Sequence, residues 1–232
     1  MTMLIPFDGF PAQSLRFLND LQMHNERDWF NQNKQLYRDY VEQPAKAYAE
    51  ELAQTLSSIT RKPMSFKLFR IYRDVRFSKD KTPYNTHIHI SFFCADDTTK
   101  SCSAKPAFHF GLETDRIFCG CGYFTFSPEL LLDYREVVSH NESGEALQTL
   151  VDSLTRSGFS LHEPELKRTP AGFDKDHPRA DLLKRKGLVL WHEEPLSEIV
   201  QKPALISHVM QHYESMRPLY QWLARLGEDH AV

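Results

Sequence analysis

Residues 107–126, AFHFGLETDRIFCGCGYFTF, decide the fold class. Two strand-like runs, Ala107 to Leu112 and Arg116 to Phe126, are joined by the short link Glu113-Thr114-Asp115, which is typical of a hairpin. A further run, His87 to Cys94, extends the pattern upstream, so the middle of the chain reads as an antiparallel sheet. After Pro63 the apolar period is two, with Phe69, Ile71, Val75 and Phe77 on one side and Arg70, Tyr72, Asp74 and Arg76 on the other. That alternation predicts a strand with one apolar and one charged face.

Helical spacing flanks the sheet on both sides. Leu15, Leu18 and Leu21 share one face after Pro11, and Asn25 before Glu26, Arg27 and Asp28 reads as an N-cap with acids in the first turn. The helix it opens carries the stripe Trp29, Phe30, Asn33, Leu36, Tyr37 and Tyr40, and Pro44 opens a third through Tyr48, Leu52, Leu56 and Ile59. Downstream, Ser127-Pro128-Glu129 starts a helix whose Leu131, Tyr134 and Val138 face the core. Glu145 to Arg156 predicts another helix, His162 to Arg179 an ordered loop, and Leu188 to His192 a short strand. Pro203 opens a final helical region that Pro218 should kink or restart. The expectation is one α+β domain over residues 1–232: a helical layer at about 11–60, a sheet at about 64–126 and a mixed helical remainder at about 127–232. Its central antiparallel sheet is packed by N-terminal and C-terminal helices.

An apolar share of 41% over 232 residues is enough for a proper core, so the cysteines, Cys94, Cys102, Cys119 and Cys121, are expected as reduced thiols rather than as staples. The formal net charge of -3 excludes a global attraction to nucleic acid or to an anionic membrane. Met1 through Phe10 carries no basic leader with a long apolar run, and no stretch of about 18 apolar residues occurs, so a cytoplasmic chain is expected.

Against this background, positive charge is concentrated in one place. Arg70, Arg73, Arg76, Lys79 and Lys81 face only Asp74 and Asp80 between residues 70 and 84, a segment net positive by three in a chain whose remainder is net negative by six. Guanidinium groups on such a strand can grip a phosphate or carboxylate in bidentate fashion. Asp74 or Asp80 could act as a general base, and Tyr84 as a hydrogen-bond or proton donor. Arg73 falls on the apolar side of the alternation, so it must pair with a carboxylate in the interior or mark a bulge that turns it outward. An ion-pair network that merely pins the corner would explain the same cluster without a ligand.

The segment resembles the signature RxxRDxRFxxDKxPY of a bacterial family catalogued as domain of unknown function 2461, with every fixed position matched from Arg70 to Tyr84. The likeness extends to Trp29-Phe30 with Asn33 and Tyr37, to Gly122 through Arg135, and to the loop from Lys167-Arg168 to His177-Pro178. It implies that Arg70, Arg73, Asp74, Arg76, Phe77, Asp80, Lys81, Pro83 and Tyr84 are the family's marked residues, and it implies no activity.

Other clusters compete for attention. His87 and His89 alternate onto one strand face and His109 stands on another predicted strand, so three imidazoles could meet at a metal. No spaced carboxylate nearby completes the pattern, and imidazoles on a solvent-facing sheet are the commoner situation, so no metal ligand is assigned. Cys119-Gly120-Cys121 lacks the spacing of a zinc pair, and Gly120-Cys121-Gly122 precedes a strand, which fails a dinucleotide-binding motif. Glycine there fits a bulge or close backbone approach. His208 and His212 have ligand spacing without the glutamate of a zinc protease helix.

The expectation is therefore a site for an anionic small molecule, with Arg70, Arg73, Arg76, Lys79 and Lys81 on one wall and Lys167, Arg168 and His177 opposite. Such a site would suit a hydrolase or transferase, with Asp74, Asp80, Tyr84 and His177 as its candidate acids and bases. A nucleic-acid end is a second candidate ligand. The other class of reading is a scaffold protein that docks an acidic partner on the same patch.

Overall fold

The computed structural model describes residues 6–95 and 105–226, which leaves Cys102 outside it. The architecture is α+β, with a central antiparallel sheet and N-terminal and C-terminal helices. The strands are β1 (Met64–Leu68), β2 (Ile88–Cys94), β3 (Ala107–Leu112), β4 (Arg116–Tyr123), β5 (Ser160–Leu161) and β6 (Leu188–Pro195), in the spatial order β1-β2-β3-β4-β6-β5. The chain groups into two compact units, one of Met1–Ala95, His109–Cys119 and Glu193–Gln211, the other of Asp96–Phe108, Gly120–His192 and His212–Val232. No helix among the described residues is long and apolar enough to cross a membrane.

In the first unit, α1 (Ala12–Met23) buries Phe17, Leu18 and Leu21, the face its spacing marks. Beyond it, α2 (Arg27–Gln32), α3 (Lys34–Tyr37), a π-helical turn (Arg38–Glu42) and α4 (Gln43–Thr60) follow one another almost without interruption. Pro44 sits in the first turn of α4, directly after the π-helical turn, and the carbonyl of Tyr40, four residues before it, accepts from the Ser14 hydroxyl. Tyr48 on α4 lies against Phe110 of β3 at 4.5 Å and Phe10 at 5.5 Å, so the helix is held by aromatic packing as well as by Leu52 and Leu56. Asn25 does not cap α2: the N-cap is Glu26, with no side-chain bond.

The strand predicted over residues 69–77 is the principal correction. The pairing with β2 belongs to β1, where Met64 opposes Cys94 and Leu68 opposes Ile90. Of the four apolar residues in the predicted alternation only Ile71 is buried, while Phe69 is 39% and Phe77 94% exposed. A two-residue period makes a strand only if its apolar face meets a core. Here that face meets solvent, and Pro83 removes a ladder donor from the returning chain.

The second unit follows its sequence signals more closely. Ser127 caps α5 (Pro128–Ser139) by accepting from the Leu130 N–H at 3.2 Å, and Tyr134 and Val138 are buried as expected. α6 (Asn141–Arg156) begins earlier than Glu145 and takes in Gly144, where a Cβ would lie 2.1 Å from the Val138 carbonyl oxygen. α7 (Ala180–Leu183) is a single turn whose Leu182 carbonyl accepts from the Tyr134 hydroxyl at 3.1 Å. Pro218 lies inside α8 (Leu205–Arg225), which runs through it as one element instead of restarting. Phe108 stacks on Tyr220 at 4.7 Å and meets Tyr213 at 4.9 Å.

Gly122 permits the close approach its position suggested. Its φ is +150°, and a Cβ there would lie 1.8 Å from the Leu188 carbonyl oxygen of β6. Gly122→Ala is therefore expected to destabilise by at least about 3 kcal/mol, against about 1 kcal/mol for removing the helix cap with Ser127→Ala. Chemical denaturation of the two variants checks the ranking, and equal losses would contradict the strand contact described.

Candidate functional site

The segment from Arg70 to Tyr84 forms most of the excursion between β1 and β2, pinched at its neck and open at its tip. At the neck, the Arg73 N–H donates to Pro83 O at 2.9 Å and the Asn85 N–H to Ile71 O at 2.7 Å, on either side of an antiparallel bridge between Tyr72 and Tyr84. The Asn85 carboxamide adds a donor to Arg70 O at 3.0 Å.

Asn25 fixes the neck to the helical layer. Its carboxamide donates to Tyr84 O at 2.9 Å and accepts from the Tyr84 N–H at 3.0 Å, so it satisfies both backbone groups of one residue as a neighbouring strand would. Below it the Tyr84 ring is stacked on Phe30 at 4.2 Å, with Tyr72 at 5.4 Å. Burial raises the Tyr84 phenol above its ordinary range, so it stays protonated at neutral pH. Its surroundings are those of an anchor.

Two ion pairs shape the tip. Asp80 accepts from the Thr82 N–H at 3.0 Å, the Thr82 hydroxyl at 2.9 Å and Arg73 Nη1 at 2.6 Å, while Arg73 Nη1 also reaches the Thr82 hydroxyl and carbonyl. Arg73 thus pairs with a carboxylate, but with an exposed one on the excursion and not with one in the interior. Asp74 is gripped in a fork by Arg76, Nε to Oδ1 at 2.9 Å and Nη2 to Oδ2 at 2.6 Å. The Thr82 N–H and Arg73 hold the Asp80 carboxyl down at about 2, and the bonds from Arg76 lower Asp74. Carboxylates this acidic are weak bases at neutral pH, so both act as clamps far better than as general bases.

Three of the segment's cations stand outside these two pairs. Among the described residues Arg70 and Lys79 form no salt bridge, although the Arg70 charge helps to lower Asp74, and Lys81 donates its ammonium to Val75 O at 2.9 Å. Phe77 stands 94% exposed at the same tip, with the Arg76 guanidinium 5.9 Å from its ring centre.

The other predicted site residues belong to the second unit. Lys167 and Arg168 are exposed on the 162–179 loop of the second unit. His177 is engaged in that unit, its Nε2 3.3 Å from Ser139 O and its Nδ1 accepting from the Arg179 N–H at 3.0 Å. Arg179, buried beside it, caps the end of α5 through the carbonyls of Val138, Ser139 and His140. A cavity of about 300 Å³ in the second unit, walled by Tyr123, Phe124, Arg185 and Trp191, contains none of the predicted site residues.

The histidines regroup. His109 is buried with its Nδ1 2.8 Å from the Ser91 hydroxyl, and His208 Nε2 lies 2.5 Å from Glu194 Oε1. His87 and His89 instead gather with Glu113, a carboxylate from the β3–β4 turn that sequence spacing did not suggest. Cys119 and Cys121 are buried and their thiols are pushed well up by that burial, which opposes thiolate ligation.

Removing the Asn25 clamp tests the neck. Asn25→Ala should cost about 1–3 kcal/mol through two lost hydrogen bonds. Asn25→Asp, which keeps the acceptor and turns a carboxylate toward Tyr84 O, should be at least as unstable. Losses below about 0.5 kcal/mol in denaturant titrations of both variants would contradict the clamp.

No curated protein matches the chain. Residues 13–222 match the family model described as "Conserved hypothetical protein (DUF2461)", a span that includes Asn25, the whole charged excursion and Glu113. The chain belongs to the DUF2461 family.

Proposed function

We propose that the β1–β2 excursion binds a phosphate- or carboxylate-bearing ligand through Arg70 at its neck and Lys79 and Lys81 at its tip. One observation carries this reading: Asp80 and Asp74 are paired with Arg73 and Arg76, which leaves Lys79, Lys81 and Arg70 without a salt bridge on an excursion whose neck is held by Asn25, Arg70 acting on Asp74 only through its charge. The clamped arginines supply shape, and the unmatched groups supply attraction. Lys167, Arg168 and His177, which belong to the second unit, are left out of this proposal. A base for a hydrolase or transferase reaction is not drawn from Asp74 or Asp80, because the Arg76 and Arg73 guanidinium groups already engage their oxygens. A cytoplasmic setting, with Cys119 and Cys121 as buried thiols, accords with this reading.

Phe77 favours a second reading, in which the same tip docks an acidic protein partner. A side chain 94% exposed beside Arg76, with Tyr72 at 53%, has the aromatic and arginine character of interface anchors. A small anion gains nothing from Phe77, whereas a macromolecular partner would cover it.

Thermal shift assays with inorganic phosphate, pyrophosphate, a nucleoside monophosphate and a 5′-phosphorylated oligonucleotide test the proposal. At a concentration about 100 times Kd, linkage adds about 2.7 kcal/mol and raises the melting temperature by roughly 5–10 °C for a chain of this size. Arg70→Ala combined with Lys79→Ala should abolish the rise, and added salt should weaken it. No shift with any anion, or an equal shift in the double variant, contradicts the proposal.

A further inference from the structure

We propose that His87, His89 and Glu113 form a binding site for a first-row divalent transition metal of the zinc class. This inference uses none of the tip's unmatched cations and stands apart from the anion reading. The donor atoms of the three side chains all lie within 4.8 Å of one another. They come from fixed places: His89 from within β2, His87 from just before it, and Glu113 from a turn closed by its own N–H donating to Arg116 O at 2.9 Å.

The geometry of His89 is the strongest argument. Its Nε2 is buried and has no hydrogen-bond partner, although Glu113 Oε1 is only 3.7 Å away. That gap is too long for a hydrogen bond. It is close to the separation of two ligands around one ion: at about 2.1 Å from a tetrahedral metal, two donors stand about 3.4 Å apart. An orphaned nitrogen facing a carboxylate across a metal-sized gap leaves its lone pair unused, and a cation between them would satisfy both.

The surroundings prepare these donors for ligation. Arg116 holds the far oxygen of Glu113, with Nε and Nη2 each 2.9 Å from Oε2, and so aims Oε1 at His89. This is the outer support that ligating carboxylates usually have. The His87 and His89 rings are stacked with centroids 3.6 Å apart, an arrangement that two charged imidazoliums would oppose. Phe118 walls the site, edge-on to His89 at 5.1 Å.

Two imidazoles and one carboxylate match the donor set of borderline divalent ions, and three protein ligands leave coordination positions for water or an anionic oxygen. Arg73 is near enough to His87 for its charge to weigh on the imidazole. An anion bound at the metal would therefore find a guanidinium nearby.

Metal-free protein titrated with Zn²⁺ by calorimetry, and with Co²⁺ followed by visible absorption, provides the test. The wild type should bind with micromolar or tighter affinity, and the Co²⁺ adduct should show d–d bands of a site containing nitrogen and oxygen donors. His89→Ala and Glu113→Gln should each bind one equivalent fewer or weaken that equivalent at least tenfold, while His140→Ala keeps it. His87→Ala, altered outside any strand, serves if His89→Ala fails to fold, with circular dichroism as the check. Absence of Zn²⁺ and Co²⁺ binding by the wild type, or unchanged affinity in folded His87→Ala and Glu113→Gln, overturns the site.

Discussion

The return of the chain to β2 depends on one side chain satisfying one backbone unit. Between Leu68 and Ile88 the polypeptide leaves the sheet with a run of charges that no core will accept, and it must come back in register. The Asn25 carboxamide settles where, by taking both the N–H and the C=O of Tyr84. Phe30 settles the depth, because the Tyr84 ring stacked on it is withdrawn from water. With the neck fixed on one side by helix and on the other by Arg73 and Asn85, the tip can be wholly polar without detaching the strands that follow.

Electrostatics then act on a prepared geometry. Exposed ion pairs such as Arg76 with Asp74 contribute little to stability, so their presence on this tip says more about shape than about strength. Asp74 and Asp80 each accept the backbone N–H two residues on as well as a guanidinium, which turns the chain at two successive points. Pairing one carboxylate with one arginine leaves the segment's surplus charge on Arg70, Lys79 and Lys81, in a chain that is otherwise acidic. The same compensation explains why the marked aspartates of the family signature look catalytic in sequence and behave as clamps in space.

What was legible in the sequence follows the range of the forces involved. α1, the Ser127 cap of α5 and the β3–β4 hairpin rest on contacts within a few residues, and their signals were plain. The 69–77 alternation misled because it reports chemistry along the chain and not whether a core lies beneath; Phe77 alternates correctly and faces water. Asn25 drew notice as a cap, since nothing local separates a capping asparagine from one bonded to Tyr84, 59 residues away. Glu113 was passed over for the opposite reason. It was read as turn chemistry, and only the pairing of β2 and β3 brings it to His89. Gly144 hid the start of α6, because its cost in helix propensity is visible in sequence and the Val138 carbonyl it accommodates is not.

The account rests on a rigid neck beneath a solvated tip, and amide hydrogen exchange resolved by residue reads that contrast directly. The N–H groups of Arg73, Tyr84 and Asn85 should exchange roughly a hundredfold or more slowly than those of Phe77, Lys79 and Lys81. Equal, fast exchange along the whole excursion would show that Asn25 does not hold it, and the described arrangement of its charges would fall with the clamp.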